Sequence, residues 1–375
     1  MILNISETRT GLSLLRADLE HSKEWGTTGN VFLEGSQLQV LQILQLHYQG
    51  SMKMVFLDPL AQDIDQLRRS LELSWNLLAD HGAIFIWTSK QSMDGLKNLC
   101  DEIFGKKNFL DGAGQFPRNA GATPALPEAR FLLSYARTIK NRTAPALSTL
   151  GFDMASSARS YLLPTLLEAT QLGKDDTLLD LSAGGINTAE ALLRMNALDA
   201  GSRRFMLVRP AQPLPSASAT TGGTVETVAE LSRDQLRRTG AALSEYDNGQ
   251  LTAVGELLDT GFRAYQLPDA ASAEATQEDL FIRVLAGRGF SLTERTASRS
   301  VNGIEVRAVV SEDGQPRVLA YLDARAQPTL ELLEALLAQN PESVIVIAEA
   351  FHGDALLEEE FHRLALSRGI EFWTS

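Results

Sequence analysis

The chain has 375 residues, 44% of them apolar, one cysteine and a formal net charge of −13. That length suits two domains or one large domain with an appendage, and the apolar share is ample for a core. A lone Cys100 excludes an internal disulfide and a cysteine-based metal cluster, and the five histidines are scattered with no His-x-x-x-His spacing, so no metal centre is expected. The acidic balance argues against an autonomous grip on nucleic-acid phosphates, which calls for a basic face. No uncharged apolar run approaches the ~18 residues of a membrane span. The opening "MILNISETRTGLSLLRADLEHSKEW" carries charges where a signal peptide needs an apolar centre, so a cytoplasmic protein is expected.

In chain order, six short apolar runs read as buried strands: "NVFLEG" (30–35), "KMVFLD" (53–58), "AIFIWT" (83–88), "RFLLSYA" (130–136), "TLLDLS" (177–182) and "RFMLVR" (204–209). Helical patterns lie between them. "SQLQVLQILQLHY" sets Leu38, Leu41, Leu44 and Leu46 on a broad apolar face, and "DQLRRSLELSWNLLADHG" does the same with Gly82 as its stop. Strand-helix alternation with buried strands predicts an α/β fold, a doubly wound, mostly parallel sheet. Two Gly-, Pro- and Ala-rich stretches, 111–129 and 209–224, read as long loops. A linker near Asp269–Gln277 separates a core of residues 1–268 from a small α/β domain of residues 278–375. That domain has a hairpin from "NGIEVRAVV" and "RVLAYLD", helices over Thr329–Gln339 and Asp354–Arg368, and strands "SVIVIAEA" and "IEFWTS". Phe372 and Trp373 of the last strand are either exposed on a free edge or packed on the helix before it.

Doubly wound sheets bind ligands at the C-terminal ends of their strands. Asp58 and the Gly184-Gly185 turn both fall at such ends and mark the expected pocket. It is poor in catalytic residue types, with no His, Cys or Lys adjacent in sequence to either. "TTGG" (220–223) lies after a Pro-containing stretch rather than between a strand and a helix, so it is not a phosphate loop. "LLEEEFHR" (356–363) reads as a solvated helix face with His362 exposed.

The segments "VFLEGSQLQVLQIL", "KMVFLDPL", "DEIFGKKNF", "FLLSYA", "TLLDLSAGG", "AGSRRFMLV" and "DTGFRAYQL", in that order, resemble the modification (Mod) subunits of type III restriction systems. These are adenine-N6 DNA methyltransferases of the circularly permuted beta class. The resemblance runs through nearly the whole chain and implies a Rossmann-like methyltransferase sheet, a site for S-adenosylmethionine and a dimer. It also implies a role for "VFLDPLAQD" (55–63). The family's catalytic strand ends in Asp-Pro-Pro-Tyr, whose Asp and first Pro carbonyl accept hydrogens from the target adenine while the Tyr stacks on the flipped base. Here Asp58 and Pro59 remain, but Leu60 and Ala61 replace the rest, and Ala61 offers none of the ~1–3 kcal/mol of base stacking.

The cofactor residues implied by the resemblance depart as well. Where the family has Phe-x-Gly-x-Gly-Thr, this chain has Ser182, Gly184 and Ile186 at the Phe and the two glycines, although a one-residue shift would let Gly185 serve. A β-branched residue there fills cofactor space and resists positive φ. Arg209 stands where a Glu or Gln meets the ribose; a guanidinium only donates. Ser36 replaces the Asp of a Gly-Asp pair that contacts the cofactor's adenine. The family's target-recognition insert is absent, since only the short stretch 137–159 lies in its place. A catalytically degenerate homologue is therefore expected, acting as a scaffold or regulatory subunit in a bacterial restriction, defence or anti-defence assembly. It is expected to need no cofactor, to bind DNA weakly and to pair with itself, a Mod subunit or another defence protein. The alternatives are an active S-adenosylmethionine-dependent methyltransferase that relies on a partner for target recognition, and a nucleotide or small-molecule sensor.

Overall fold

The computed structural model describes residues 15–59, 63–89, 91–116, 130–138, 172–182, 186–214, 225–246, 258–267 and 276–374. The chain divides into two compact units, one from Asp18 to Ala270 and one from Ala271 to Ser375 with Leu15–Ala17.

The first unit runs β1 (Arg16–Lys23), β2 (Val31–Gly35), α1 (Gln37–Leu44), β3 (Met52–Leu57), α2 (Ile64–Leu77), β4 (Leu78–Ser89) and α3 (Met93–Cys100). It continues with β5 (Phe109–Phe116), β6 (Arg130–Ala136), β7 (Thr177–Leu181), α4 (Asn187–Asp199), β8 (Arg204–Arg209), α5 (Val228–Tyr246) and β9 (Phe262–Leu267). Its strands form one nine-stranded sheet in the order β1-β9-β2-β8-β7-β3-β4-β6-β5. From β9 to β4 the pairings are parallel, and β6 and β5 add antiparallel strands at one side. The chain leaves β3 toward β4 but leaves β7 toward β8, in opposite directions along the sheet. The β7/β3 boundary is therefore a topological switch point.

Alternation along the central strands buries both faces. Phe32, Met54, Phe56, Phe85, Leu178, Phe205 and Leu207 join Ala189, Leu192 and Leu236 of α4 and α5 in one core. Leu33, Val55, Leu57, Ile84, Ile86, Leu179 and Val208 are equally buried and alternate with them. This is why these strands read as unbroken apolar runs.

Three readings of the sequence are corrected here. The helix expected to stop at Gly82 ends at Leu77, and the remaining residues open β4. Gly82 serves close packing instead, because a Cβ there would sit 2.8 Å from the Met52 carbonyl oxygen. The expected loop 111–129 begins as strand, since Asp111–Phe116 belong to β5, and the expected loop 209–224 begins with Arg209, the last residue of β8. Residues 117–129, 215–224 and 139–159, and the greater part of the expected linker, lie outside the described residues. The strand β1, rich in charge, was not anticipated from the sequence.

The second unit opens with α6 (Gln277–Gly287), whose start is fixed by a Thr276/Asp279 capping box. A five-stranded sheet follows in the order β10 (Thr296–Val301), β11 (Ile304–Val310), β12 (Pro316–Tyr321), β13 (Ser343–Val346), β14 (Glu371–Thr374). Asn302 and Gly303, both at positive φ, make the two-residue turn of the β10–β11 hairpin. Helices α7 (Leu330–Leu337) and α8 (Ala355–Ser367) cross between the parallel strands β12, β13 and β14. Phe372 packs edge-on against Phe361 at 6.0 Å, and Trp373 meets Phe290 at 6.1 Å beneath the Arg288 guanidinium. Both aromatics are thus partly covered rather than displayed on a free edge.

Candidate functional site

Four sequence-predicted site residues fall at the C-terminal ends of four adjacent strands. Ser36 follows β2, Arg209 ends β8, Ser182 follows β7 and Asp58 follows β3. Leu57 and Leu181 are paired in register, so Asp58 and Ser182 emerge side by side at the switch point. Pro59 is half-buried behind Asp58. Leu60, Ala61, Gly184 and Gly185 lie outside the described residues.

Strand alternation decides which side chains share the crevice. Leu178, Leu207, Phe56 and Phe85 point into the core beneath α4 and α5. On that face Asp180 is level with Phe56 and Leu207, and Arg209 and Trp87 follow two residues beyond Leu207 and Phe85. Polar and aromatic side chains therefore take over from the apolar core at this end of the face.

The polar part is closed on itself. Arg209 is 0% exposed and Asp180 is 1% exposed, with Nη2 2.9 Å from Oδ2. Arg209 Nη1 also donates to the backbone carbonyls of Asp180 at 3.2 Å and Val208 at 2.8 Å. Asp180 accepts in addition from the Ser182 backbone N–H at 2.7 Å and from the Thr188 hydroxyl on α4. A buried charge of either sign is costly unless paired and hydrogen-bonded, and here the ion pair and these hydrogen bonds offset much of that cost. Asp180, Thr188 and Trp87 were not singled out from the sequence. The one available signal for Asp180 was a carboxylate inside the apolar run "TLLDL".

The surrounding residues reinforce the closure. Ile186 is 4% exposed, adopts φ −117°, and packs into the core with Ala189 and Leu192. The backbone here needs no positive φ, so the isoleucine is unstrained and acts as a core residue. Gln37, the first residue of α1, reaches from the β2 side to donate to the Leu181 carbonyl at 3.3 Å, spanning the end of β8. Ser36 is exposed and makes no cap hydrogen bond. On the far side of Arg209, Arg233 of α5 pairs with Glu34 and covers the Phe32 ring at 5.5 Å. Gly35 is explained by the fold, because its backbone adopts φ +154° and a Cβ there would lie 2.8 Å from Leu267 Cβ and 2.9 Å from its carbonyl oxygen.

Among the described residues, no group of three or more His, Cys, Asp or Glu side chains is arranged to hold a metal ion. No helix among them is long and apolar enough to cross a membrane.

Parallel central strands, helices crossing between them and a crevice at the switch point define a Rossmann-like α/β fold. In sequence, the chain is similar to the HindVI Mod subunit of a type III restriction-modification enzyme from Haemophilus influenzae, with 29% identity over 98 residues. The matched stretch is 22% of this chain and 13% of that protein's length. No protein-family model matches. Among solved structures, the PvuII cytosine-N4-specific DNA methyltransferase aligns over 57% of this chain and 93% of its own, with a TM-score of 0.37 and 13% identity. M1.HpyAVI aligns over 48% of this chain and 91% of its own, with a TM-score of 0.34 and 12% identity. These identities concern the fold and carry nothing about activity or substrate.

Proposed function

We propose that this chain is a catalytically degenerate relative of DNA methyltransferases that serves as a scaffold or regulatory subunit in a restriction or defence-type assembly. The observation that supports it most directly is Arg209, wholly buried and bound to Asp180 at the end of β8. In a doubly wound fold the strand ends beside the switch point are where a nucleotide-like ligand enters. Here those ends are occupied by an internal ion pair, with Ile186 packed below and Gln37 bonded across. S-adenosylmethionine would have to displace a paired buried charge, at a cost of several kcal/mol. The reading rests on the resemblance of the chain's segments to Mod subunits for its link to restriction systems.

Calorimetric titration with S-adenosylmethionine tests it. No heat of binding is expected at millimolar ligand, and a micromolar dissociation constant would overturn the reading. A fold kept for its surfaces further implies self-association or a protein partner, and light scattering at tens of micromolar is expected to return more than a monomeric mass.

One observation favours a second reading, an active methyltransferase completed by a partner: Asp58-Pro59 still stands at the end of β3, with Asp58 only 8% exposed. Labelled methyl transfer to DNA above an Asp58→Ala control would select it.

A further inference from the structure

Helix α8 carries its core side chains on one side only. Phe361 and Ala365 are fully buried, and Leu357 and Leu364 pack beside them on the core of the second unit. Phe361 meets the Phe351 ring edge-on at 5.4 Å, and Asp354 fixes the start of the helix by accepting from the Leu357 N–H at 3.0 Å. The opposite side holds two exposed leucines, Leu356 at 80% and Leu366 at 68%. Glu359 and Arg363 lie between them, both exposed. At 3.6 residues per turn, positions 356, 359, 363 and 366 form one stripe that faces away from Phe361.

The stripe reads Leu, Glu, Arg, Leu at intervals of three, four and three residues, the spacing of a coiled-coil seam. Those intervals are the same read from either end. Packed antiparallel on an identical helix, with the two-fold axis level with Phe361, Leu356 meets the partner's Leu366 and Glu359 meets the partner's Arg363. Parallel packing would set Glu359 against Glu359 and Arg363 against Arg363, so the charges select the antiparallel direction. Within its own helix Arg363 pairs with Glu360 at 3.4 Å, and both side chains are exposed. A surface pair of this kind contributes little, and exchanging it costs little. Glu359 has no ion-pair partner among the described residues. We propose that this face of α8 is a self-association surface, and that its occupant is the same helix of a second copy of the chain, run antiparallel. The leucines at both ends supply apolar burial, and the two Glu359–Arg363 pairs fix direction and register. This rests on the reading of the chain as a self-associating scaffold.

Sedimentation velocity on the full chain is the measurement. One helix pair buries less than the ~1,200 Å² of the smaller stable interfaces, so a weak dimer is expected, seen as a mass that rises between about 10 and 300 µM. Glu359→Arg makes the centre of the stripe wholly basic and Arg363→Glu makes it wholly acidic. Each is expected to weaken association at least about tenfold, because like charges then face each other. Mixed in equal amounts, the two variants set arginine against glutamate at both places and are expected to recover wild-type association as a heterodimer. Leu366→Ser is expected to weaken association as well. Glu312→Arg, an exposed charge reversal in the turn between β11 and β12, is expected to leave it unchanged. Circular dichroism on each variant checks that the helix remains. A wild type that stays monomeric throughout overturns the proposal. So does a dimer indifferent to Glu359→Arg and Arg363→Glu, or a pair of variants that stay apart when mixed. The indifferent dimer leaves the scaffold reading standing on another surface, whereas binding of S-adenosylmethionine counts against that reading whatever the mass.

Discussion

Arg209 and Asp180 meet at 2.9 Å inside the first unit, across neighbouring strands, with neither side chain reaching solvent. The pair consumes groups that could otherwise meet a ligand at the switch point. It also ties β8 to β7 and, through Thr188, to the start of α4. The strand ends that position a ligand in this fold class are here turned into part of the core.

Breaking that pair is expected to be costly. Arg209→Leu leaves the Asp180 carboxylate buried without its cation, and a loss of roughly 3–5 kcal/mol is expected in urea unfolding. Replacing both residues with leucine removes the orphaned charge and is expected to recover a large part of the loss, although the Thr188 hydroxyl and the Ser182 N–H then lose an acceptor. A loss below about 1 kcal/mol for Arg209→Leu would mean that water reaches the pair.

Gly35→Ala tests whether the glycine before Ser36 belongs to the fold. The added methyl meets Leu267 Cβ at 2.8 Å and the Leu267 carbonyl oxygen at 2.9 Å, inside van der Waals contact with a backbone atom of the paired strand β9. Overpacking of this kind costs about 1–3 kcal/mol, read as a lower urea midpoint with an unchanged slope. An unaffected midpoint would show that β2 and β9 separate freely.

The periodicity of apolar residues was enough to place the six strands read in the first unit, because their buried faces make unbroken apolar runs, but it missed β9, whose "FRAYQL" is largely buried although it carries Arg263 and Gln266. The same signal was blind to β1, whose "RADLEHSK" is charged as an edge strand tends to be. It also ran α2 past Leu77, because "LADHG" continues a helical pattern that pairing with β3 overrides. At the site, sequence reasoning brought Asp58, Ser182, Arg209 and Ser36 to one edge. It treated Arg209 as a poor ligand for ribose, and the partner that makes it a core residue, Asp180, became visible only when β7 and β8 lay side by side. Trp87 was hidden for a related reason: that it follows Ile86, the partner of Leu57 at the end of β3, is a matter of register.

Cys100 is expected to be inert in the native protein. Its side chain is fully buried at the end of α3, and that burial, with the Asp101 carboxylate beside it, pushes the thiol up to about 12. Thiolate is the reactive form. A colorimetric disulfide reagent at pH 8 is expected to react with the native chain far more slowly than with the chain in denaturant. Comparable rates would place the thiol at the surface.

Asp101 is expected to contribute stability with a definite pH dependence. Burial alone would raise its pKa, but Lys97 at 2.7 Å and the Tyr135 hydroxyl at 2.8 Å outweigh that and hold the carboxyl below its ordinary value of 3.8. Lys97 also lies over the Phe109 ring at 4.4 Å, so the cation is fixed from two sides. A carboxyl whose pKa is depressed by folding stabilises the native state fully above the unfolded value, and that share is lost as pH falls through the folded value. Wild type and Asp101→Asn, which keeps an acceptor for Tyr135, are therefore expected to differ by a constant margin between about pH 5 and 7. The margin should narrow as pH drops below 3.8, the ordinary value of the group. Urea unfolding across that range is the measurement. A margin that widens on acidification would mean that burial, and not Lys97 and Tyr135, governs Asp101.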